Sequence, residues 1–481
     1  MSTSETTNAS TLIDRIPQVF DTLKSSSLHS DRTTPEQRIR TLKRLKTTLL
    51  NRRTELHEAL FKDLHKCPLD VDMVELYPLV IELDCAIRNV KQWMRPKNVG
   101  TIMLLSTSRS QLYYEPKGVV LIIGPWNYPV QLVINPLIAA IAAGNKVVMK
   151  PSELAPHSSK FLTSLIRECF NEDEVVIFEG GPDVSQALLQ CPFDHILYTG
   201  GTRVGKLVME AAAKHLTPVT LELGGKSPVI VDESASLKEA AKHIVFGKFF
   251  SQGQTCVASD YVLVHERSFD AFITEVKVAI ETYYGKSKAE QIQSTALSRS
   301  INRFHYDRIK TMVHQSVKMG AVVAMGGEYD DDELFYSPTI LTHVKISNPC
   351  MNEEIFGPVL PILTYNDDME MCKMIRSRPK PLALYIFSTN RKRTEKILQS
   401  TSSGGVYVNG VASHVFNYHL PFGGIGDSGM GSYHGHHGFK TFSHERSVLK
   451  QGFFDIVQNL FPPYRKKHEV LVNMSLKFLT R

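Results

Sequence analysis

One cysteine stands among polar residues and a glycine in the segment Ser251-Gln-Gly-Gln-Thr-Cys256. This setting suits a reactive thiol rather than a packed one, and a thiol attacks a carbonyl carbon only in its thiolate form. The thiol therefore needs a proton acceptor, and Glu222 in Leu221-Glu-Leu-Gly-Gly-Lys226 is the candidate. The pair predicts nucleophilic catalysis on a carbonyl compound, with Cys256 as the nucleophile.

Attack on an aldehyde converts the carbonyl oxygen into an alkoxide, which needs hydrogen-bond donors. The side-chain amide of Asn127, in Gly124-Pro-Trp-Asn-Tyr-Pro129, is the candidate donor, together with the main-chain N–H of Cys256. The alternative for Asn127 is a cap on the following helix. Loss of hydride would leave an acyl thioester on Cys256, and Glu222 could then take a proton from the attacking water.

The glycines that could hold a cofactor follow an unusual spacing. The dinucleotide fingerprint Gly-x-Gly-x-x-Gly is absent, and Gly200 and Gly205 stand farther apart, before the helical pattern of Lys206 to Lys214. Main-chain N–H groups at the start of a helix can bind a diphosphate. The alternative is that these glycines only form a turn.

Two more segments, Lys150-Pro-Ser-Glu153 and Glu353-Glu-Ile-Phe-Gly-Pro358, complete a recognisable order of motifs with those around Asn127, Glu222 and Cys256. On these motifs the chain resembles the aldehyde dehydrogenase superfamily along nearly its whole length. The resemblance implies NAD(P)-dependent oxidation of aldehydes to carboxylic acids. It also implies the catalytic roles given above for the cysteine, the glutamate and the asparagine.

The resemblance further implies which residues bind the cofactor. The residues that match Lys150 and Glu153 contact the adenosine ribose, Glu354 binds the nicotinamide ribose, and Phe356 braces the nicotinamide ring, its alternative being a core aromatic. The predicted cofactor set is Trp126, Lys150, Glu153, Gly200, Gly205, Leu223, Glu354 and Phe356. A carboxylate accepts hydrogen bonds from ribose hydroxyls and repels a 2′-phosphate, so NAD is the expected cofactor, while the lysine permits NADP.

Several segments are most similar to the class 3 branch, which includes fatty and aromatic aldehyde dehydrogenases. They include Gly253-Gln-Thr-Cys-Val-Ala258 and Leu420-Pro-Phe-Gly-Gly-Ile-Gly-Asp-Ser-Gly429, and the chain reaches Pro116-Lys-Gly118 without a longer leader. This branch implies a homodimer and medium- to long-chain aliphatic or aromatic aldehydes as substrates. Two other hypotheses stay open: ester or thioester hydrolysis without cofactor by Cys256 and Glu222, and a binding or structural protein that keeps the fold.

The elements that must position these residues alternate between strands and helices. Apolar runs such as Gly118 to Ile123 and Val229 to Val231 predict buried parallel strands, and Arg38 to Asp63 and Asp70 to Met94 predict a helical cover. We expect an α/β fold with a Rossmann-like cofactor domain, a second α/β catalytic domain and a small oligomerisation element. The expected domains are 1–225, including an oligomerisation contribution near 100–115, then 226–410 as catalytic domain, and 411–481 returning to the cofactor domain.

Composition sets the remaining expectations. The chain has 481 residues, a net charge of +6 and no long basic block, so nothing favours nucleic-acid binding. Its seven cysteines lack metal or disulfide spacing, and Tyr433-His-Gly-His-His437 is better explained by a loop than by a metal site, so no metal is predicted. Met1 to Ser10 carries no secretion or transit signal, which favours a cytoplasmic location. The apolar Val470 to Leu479 is expected to pack on the protein, with contact to an intracellular membrane surface as the alternative.

Overall fold

The structure is a computed structural model and describes residues 3–29, 32–455 and 457–479. Two residues of the N-terminal segment Met1 to Ser10, Met1 and Ser2, lie outside the described residues, and so do the last two residues of the tail. The α-helices of the described chain are α1 Thr3–His29, α2 Pro35–Asn51, α3 Arg53–Leu64, α4 Pro68–Val71, α5 Tyr77–Trp93, α6 Gln131–Ala143, α7 Pro156–Cys169, α8 Pro182–Leu188, α9 Thr202–Ala213, α10 Leu237–Phe249, α11 Phe269–Tyr284, α12 Lys288–Gln293, α13 Arg303–Lys318, α14 Asp368–Arg376, α15 Arg391–Ser400, α16 Gly435–Thr441 and α17 Lys466–Leu479.

The β-strands follow the predicted apolar runs closely. They are β1 Lys97–Asn98, β2 Arg109–Pro116, β3 Val119–Ile123, β4 Lys146–Lys150, β5 Val175–Ile177, β6 His195–Gly200, β7 Val219–Leu223, β8 Pro228–Val231, β9 Tyr261–His265, β10 Val322–Met325, β11 Tyr329–Asp330, β12 Phe335–Tyr336, β13 Thr339–Thr342, β14 Val359–Tyr365, β15 Ala383–Phe387, β16 Gly405–Val408, β17 Gly429–Met430 and β18 Ser443–Lys450.

The first large sheet has the strand order β17-β7-β6-β3-β4-β5. Strands β3 to β7 run parallel, and β17 adds an antiparallel edge. Every residue of β3 is buried, because helices cover both faces of the sheet. The chain leaves β3 toward β4 and later returns to its other side with β6, so the carboxyl ends of β3 and β6 form the switch point where such sheets bind ligands. This confirms the predicted Rossmann-like sheet.

The second large sheet has the order β10-β13-β14-β9-β8-β15-β16. Its strands are parallel except for the edge pair β10 and β13. Helices α10 and α11 pack on it through buried side chains such as Ile244, Phe249 and Phe272. A second α/β unit therefore follows the first, as the alternation of strands and helices predicted.

The N-terminal helical cover differs in detail from the prediction. The single amphipathic helix predicted over Arg38 to Asp63 is wrong: the chain turns at Arg52 (φ −98°, ψ 19°), so that α2 ends and α3 begins there. The guanidinium of Arg52 pairs with Glu55 and donates a 2.7 Å hydrogen bond to Ser164 Oγ of α7, which fixes the new direction. The predicted helix ending at Met94 is present, with a π-helical turn before α5.

A small antiparallel sheet and the tail lie outside these two units. The small sheet has the order β1-β2-β18. Its long pair β2 and β18 joins residues 109–116 to 443–450. The expectation that the tail packs on the protein is wrong for the described part of α17, because its side chains are exposed except for that of His468. Across the described residues, no helix combines the length and apolar character needed to cross a membrane.

Candidate active site

A cavity of about 590 Å³ opens at the carboxyl ends of β3, β6 and β7, between the two large sheets. This volume is typical of small-molecule sites. Most of the predicted site residues line it: Trp126, Asn127, Gly200, Glu222, Leu223, Cys256, Glu354 and Phe356. Residues distant in sequence are thus brought together at the switch point of the first sheet.

The loop that carries the cysteine has an unusual backbone. Ser251, Gln252 and Gly253 all have left-handed φ angles, of 49°, 56° and 71°. A side chain at Gly253 would collide with the carbonyl oxygen of Gly357, because the two segments approach closely there. The strained turn directs Cys256 into the cavity and places it against the segment that carries Glu354.

The Cys256 thiol is protonated in the resting enzyme. Burial raises its pKa to about 12, and the nearby carboxyl groups of Glu354 and Glu222 add to the shift. A thiolate would form here only with a proton acceptor beside it or a cation that compensates its charge. The site therefore holds a latent nucleophile rather than an ionised one.

Glu222 is buried at the end of β7, with 3% of its surface exposed. Among the described residues, neither of its carboxyl oxygens has a hydrogen-bond partner. Burial raises its pKa well above the ordinary value, so its carboxylate is a stronger base than that of an exposed glutamate. The apolar strand Val219–Leu223 carries the residue into the interior.

Asn127 is connected directly to the loop of the cysteine. Its Nδ2 donates a 2.9 Å hydrogen bond to the carbonyl oxygen of Gln254. An amide nitrogen carries two N–H groups, so this bond uses one and leaves a second donor. The main-chain carbonyl of Asn127 in turn accepts a 2.7 Å bond from Lys66 Nζ. The alternative of a helix cap is wrong, because α6 begins at Gln131 and its first turn is held by Glu75, whose Oε2 accepts from Gln131 N at 2.6 Å.

The segment around Glu354 closes the opposite wall of the cavity. Burial raises the pKa of Glu354 to about 8, with Asp260 adding to it. A side chain at Gly224 would collide with the Glu354 carboxylate, so the two motifs are in close contact. Lys226 joins the same segments, because its Nζ donates to the carbonyl oxygens of Cys350 at 2.7 Å and of Glu353 at 3.0 Å.

Two aromatic side chains form a corner of the same cavity. The rings of Trp126 and Phe356 meet edge to face with centroids 5.3 Å apart. Phe356 has a left-handed φ of 48°, which turns its ring toward the cavity rather than into the core. A planar ligand that enters between β3 and β6 would meet this corner.

Three predicted cofactor residues do not line the cavity. Lys150 is the last residue of β4, and its Nζ pairs with Glu153 Oε2 at 2.5 Å at the carboxyl edge of the sheet. Gly205 is buried in α9, where a side chain would collide with Leu223. Packing of α9 on β7 explains this glycine, and its contact with a cofactor stays a prediction.

An apolar tunnel leads to Cys256 from another side. Its walls come from α6, from α10 and the turn after it, and from the loop before β17. The apolar side chains among its lining residues are Met73, Val74, Leu132, Phe246, Phe250, Val257, Ala412, Val415, Phe416 and Phe422. The thiol therefore lies where an apolar tunnel and a more polar cavity meet.

Sequence reasoning missed several residues that support the site. The buried pair Lys66 and Glu75, whose Nζ and Oε1 are 3.4 Å apart, gave no signal because both residues stand in a helical region far from the motifs. Tyr433 was noticed only as part of a histidine-rich stretch, yet it lines both the tunnel and the cavity. His436 of that stretch contacts the ring of Trp93, and His434 contacts the ring of Phe422. Within the described residues, no group of three metal-ligating side chains is present.

The fold and the cavity are those of an α/β oxidoreductase. The family model described as "Aldehyde dehydrogenase family" matches residues 18–448. The chain therefore belongs to the aldehyde dehydrogenase family, and its enzyme class is NAD(P)-dependent oxidation of aldehydes, as predicted.

Individual relatives agree with this assignment. The chain is 43% identical over 431 residues to the 4,4'-diaponeurosporen-aldehyde dehydrogenase of Staphylococcus aureus, covering 89% of this chain and 92% of that protein. It is 41% identical over 440 residues to aldehyde dehydrogenase family 3 member A2 of Rattus norvegicus, covering 92% and 88%. The substrate-bound structure of Staphylococcus aureus AldH is similar with a TM-score of 0.91 and 41% identity, covering 95% of this chain and 99% of that one. The predicted resemblance to the class 3 branch is confirmed.

Proposed function

We propose that the protein oxidises apolar aldehydes of medium to long chain, or aromatic aldehydes, to carboxylic acids through a thioester on Cys256. The observation that carries this proposal is the position of Cys256 where the apolar tunnel meets the cavity lined by Glu354 and Phe356. An apolar tail gains free energy by leaving water for such a tunnel. The name of the Staphylococcus aureus relative, a 4,4'-diaponeurosporen-aldehyde dehydrogenase, supports the same substrate class.

In the first half of the proposed reaction, the ionised form of Glu222 takes the proton of Cys256, and the resulting thiolate attacks the aldehyde carbon. The oxygen becomes an alkoxide that accepts hydrogen bonds from the second N–H of the Asn127 amide and from the main-chain N–H of Cys256. The bond from Asn127 to Gln254 fixes the amide before substrate arrives, so little reorganisation is needed. The alkoxide then collapses to the thioester as the hydride leaves.

In the second half, Glu222, which has released the first proton to solvent, accepts a proton from the water that attacks the thioester carbon. The buried carboxyl suits this role because its raised pKa makes the carboxylate a strong base. The apolar surroundings of the tunnel keep other water away from the thioester. The product is a carboxylic acid, and the thiol is regenerated.

The cavity residues suit a nicotinamide dinucleotide. The carboxylate of Glu354 can accept bonds from ribose hydroxyls, the corner of Trp126 and Phe356 can receive a planar ring, and Gly200 leaves the main chain open after β6. When bound, the nicotinamide accepts the hydride. We propose NAD as the first cofactor and NADP as a second, because Glu153 and Lys150 favour opposite charges at the 2′ position. An indole-3-acetaldehyde dehydrogenase solved with NAD+, 26% identical with a TM-score of 0.84, supports this choice.

The first test is reduction of NAD or NADP by the purified protein with hexanal and with a long-chain aldehyde. The matched variants are Cys256→Ala and Glu222→Gln. We expect reduction by the unchanged protein, no reduction by Cys256→Ala, and slow reduction by Glu222→Gln from the first turn onward, because Glu222 accepts a proton in each half of the reaction. Ester hydrolysis without any reduction of cofactor would overturn the proposal and favour a hydrolase.

We also propose a homodimer of chains with three parts: 1–225 for cofactor binding, 226–410 for catalysis, and 411–481 returning to the first sheet. The small sheet of β1, β2 and β18 is proposed as the oligomerisation element, because β1 and β18 leave its edges unpaired within the described chain. Sedimentation would give the mass of two chains. A monomer at micromolar concentration would contradict the dimer without affecting the proposed chemistry.

The tail is proposed to contact a membrane surface inside the cell, while the rest of the protein is cytoplasmic. Helix α17 exposes apolar side chains, including those of Val470, Met474 and Phe478, beside the basic run Arg465-Lys-Lys467. Exposed apolar and basic groups together favour an anionic lipid surface. Flotation with anionic liposomes should retain the full chain and lose a chain truncated after Tyr464. Equal flotation of both would exclude the tail as the contact.

A further inference from the structure

Tyr433 is a buried residue that the mechanism above does not use. It is 0% exposed, and among the described residues its hydroxyl oxygen has no hydrogen-bond partner. A hydroxyl buried without a partner costs about 1–3 kcal/mol, and a phenylalanine would avoid that cost. Its ring packs against Phe422 and His434, with centroids 5.9 Å and 4.5 Å away. The ring is thus explained by packing, and the hydroxyl is not.

The hydroxyl belongs to a residue at the point where the thiol reacts. Tyr433 and Cys256 are among the few residues that line both the tunnel and the cavity. Glu222 lines the same cavity, and its two carboxyl oxygens also have no hydrogen-bond partner within the part of the chain that the structure describes. Two buried polar groups without such partners therefore line the cavity that Cys256 also lines. A bound water needs two or more polar partners, and these groups can supply them.

The main chain fixes Tyr433 relative to Glu222. Gly429 of β17 pairs with Glu222 of β7, and the Ser428 carbonyl accepts a 3.1 Å bond from Leu223 N. Tyr433 then exchanges two main-chain bonds with Phe422, of 2.9 Å and 3.1 Å. The strand that carries the base thus also anchors the segment that carries the tyrosine.

We propose that Tyr433 positions the water that hydrolyses the thioester, a role that rests on the proposed function. The water oxygen forms a bond to the thioester carbon, one water proton passes to Glu222, and the other stays on the water oxygen and donates a hydrogen bond to the Tyr433 hydroxyl oxygen. The bond from carbon to sulfur breaks, its electron pair stays on Cys256, and the carboxylic acid leaves. The hydrogen bond to Tyr433 orients the water so that a lone pair on its oxygen points toward the thioester carbon.

The test uses p-nitrophenyl acetate, which acylates a cysteine without any cofactor. Tyr433→Phe should release a burst of nitrophenolate equal to that of the unchanged protein, followed by a steady rate lower by about tenfold, the order expected for one lost hydrogen bond. Hydroxylamine, a stronger nucleophile than water, should reduce the difference in steady rate between Tyr433→Phe and the unchanged protein. The control Tyr365→Phe removes a hydroxyl that is fully buried in the second sheet, and it should change neither phase.

The burst counts correctly folded sites, so a partly misfolded variant is corrected by its amplitude. Equal loss of burst rate and steady rate, or no loss of either, would overturn the positioning role. Absence of a burst in the unchanged protein, with the same result for Cys256→Ala, would instead overturn the proposed thioester mechanism. The two failures are therefore distinguishable.

Discussion

The side-chain amide of Asn127 and the main-chain carbonyl of Gln254 are joined by a 2.9 Å hydrogen bond. This bond links the loop after β3 to the loop of the nucleophile. It holds an amide donor beside Cys256 before any substrate is present. The loop after β3 and the loop before β9 are thus joined beside Cys256.

Replacing Asn127 with Ala should lower kcat by about 10²- to 10³-fold, the usual cost of one donor to an oxyanion. KM for the aldehyde should change little, because the donor acts on charge that develops during reaction. Steady-state kinetics with hexanal would measure both. The matched control is Asn89→Ala, whose amide donates a comparable 2.8 Å bond to the Cys85 carbonyl far from the cavity. A decrease in kcat of less than about threefold for Asn127→Ala would contradict the oxyanion role.

Alkylation of Cys256 should accelerate with pH through the whole range from 7 to 10. Its pKa is raised to about 12, so the thiolate fraction grows about tenfold for each pH unit below that value. Rates with iodoacetamide, followed by mass spectrometry of the modified peptide, would show a slope near one on a logarithmic scale. Free glutathione, measured in parallel, should level off near pH 9. A plateau for Cys256 below pH 8 would show an ionised thiol at rest.

Replacing Glu153 with Gln should raise the preference for NADP over NAD by about tenfold in kcat/KM. The change removes a negative charge that would repel a 2′-phosphate and leaves Lys150 free to attract it. Measuring kcat/KM for both cofactors at one aldehyde concentration gives the ratio. Glu172→Gln is the control, because this exposed glutamate pairs with Arg15 on the surface. An unchanged ratio would remove Glu153 from the adenosine site.

Truncation after Tyr464 should leave thermal stability nearly unchanged, with Tm shifted by less than about 2 °C. The described side chains of α17 are exposed except for that of His468, so little apolar surface returns to water when the helix is removed. Differential scanning calorimetry on the full and truncated chains would measure the shift. A fall of several degrees would mean that the tail packs on a second chain.

Much of the fold follows from local pattern. A continuous apolar run such as β3 is stable only when both faces of the strand are covered. Such runs therefore predicted the buried parallel strands. The break at Arg52 was not predictable, because nothing in the residues themselves ends the helix there. It depends on contacts with Ser164, more than 100 positions away in the chain.

The motif residues of the site were predicted from the sequence, and the residues that support them were not. Motifs placed Cys256, Glu222 and Asn127 in one cavity, since loops at the carboxyl ends of parallel strands must meet. Lys66 was not predicted as a supporting residue, and Tyr433 was considered only as part of a histidine-rich stretch. Their roles come from burial next to those loops, and burial depends on the whole fold rather than on spacing.

The antiparallel edge strand β17 has a consequence for synthesis of the protein. Strand β7, with Glu222, is an open sheet edge until residues 429 and 430 have been made and have paired with it. Until then the cavity also lacks Tyr433, which lines it together with Cys256. A chain that stops before residue 429 therefore holds the cysteine in an incomplete cavity.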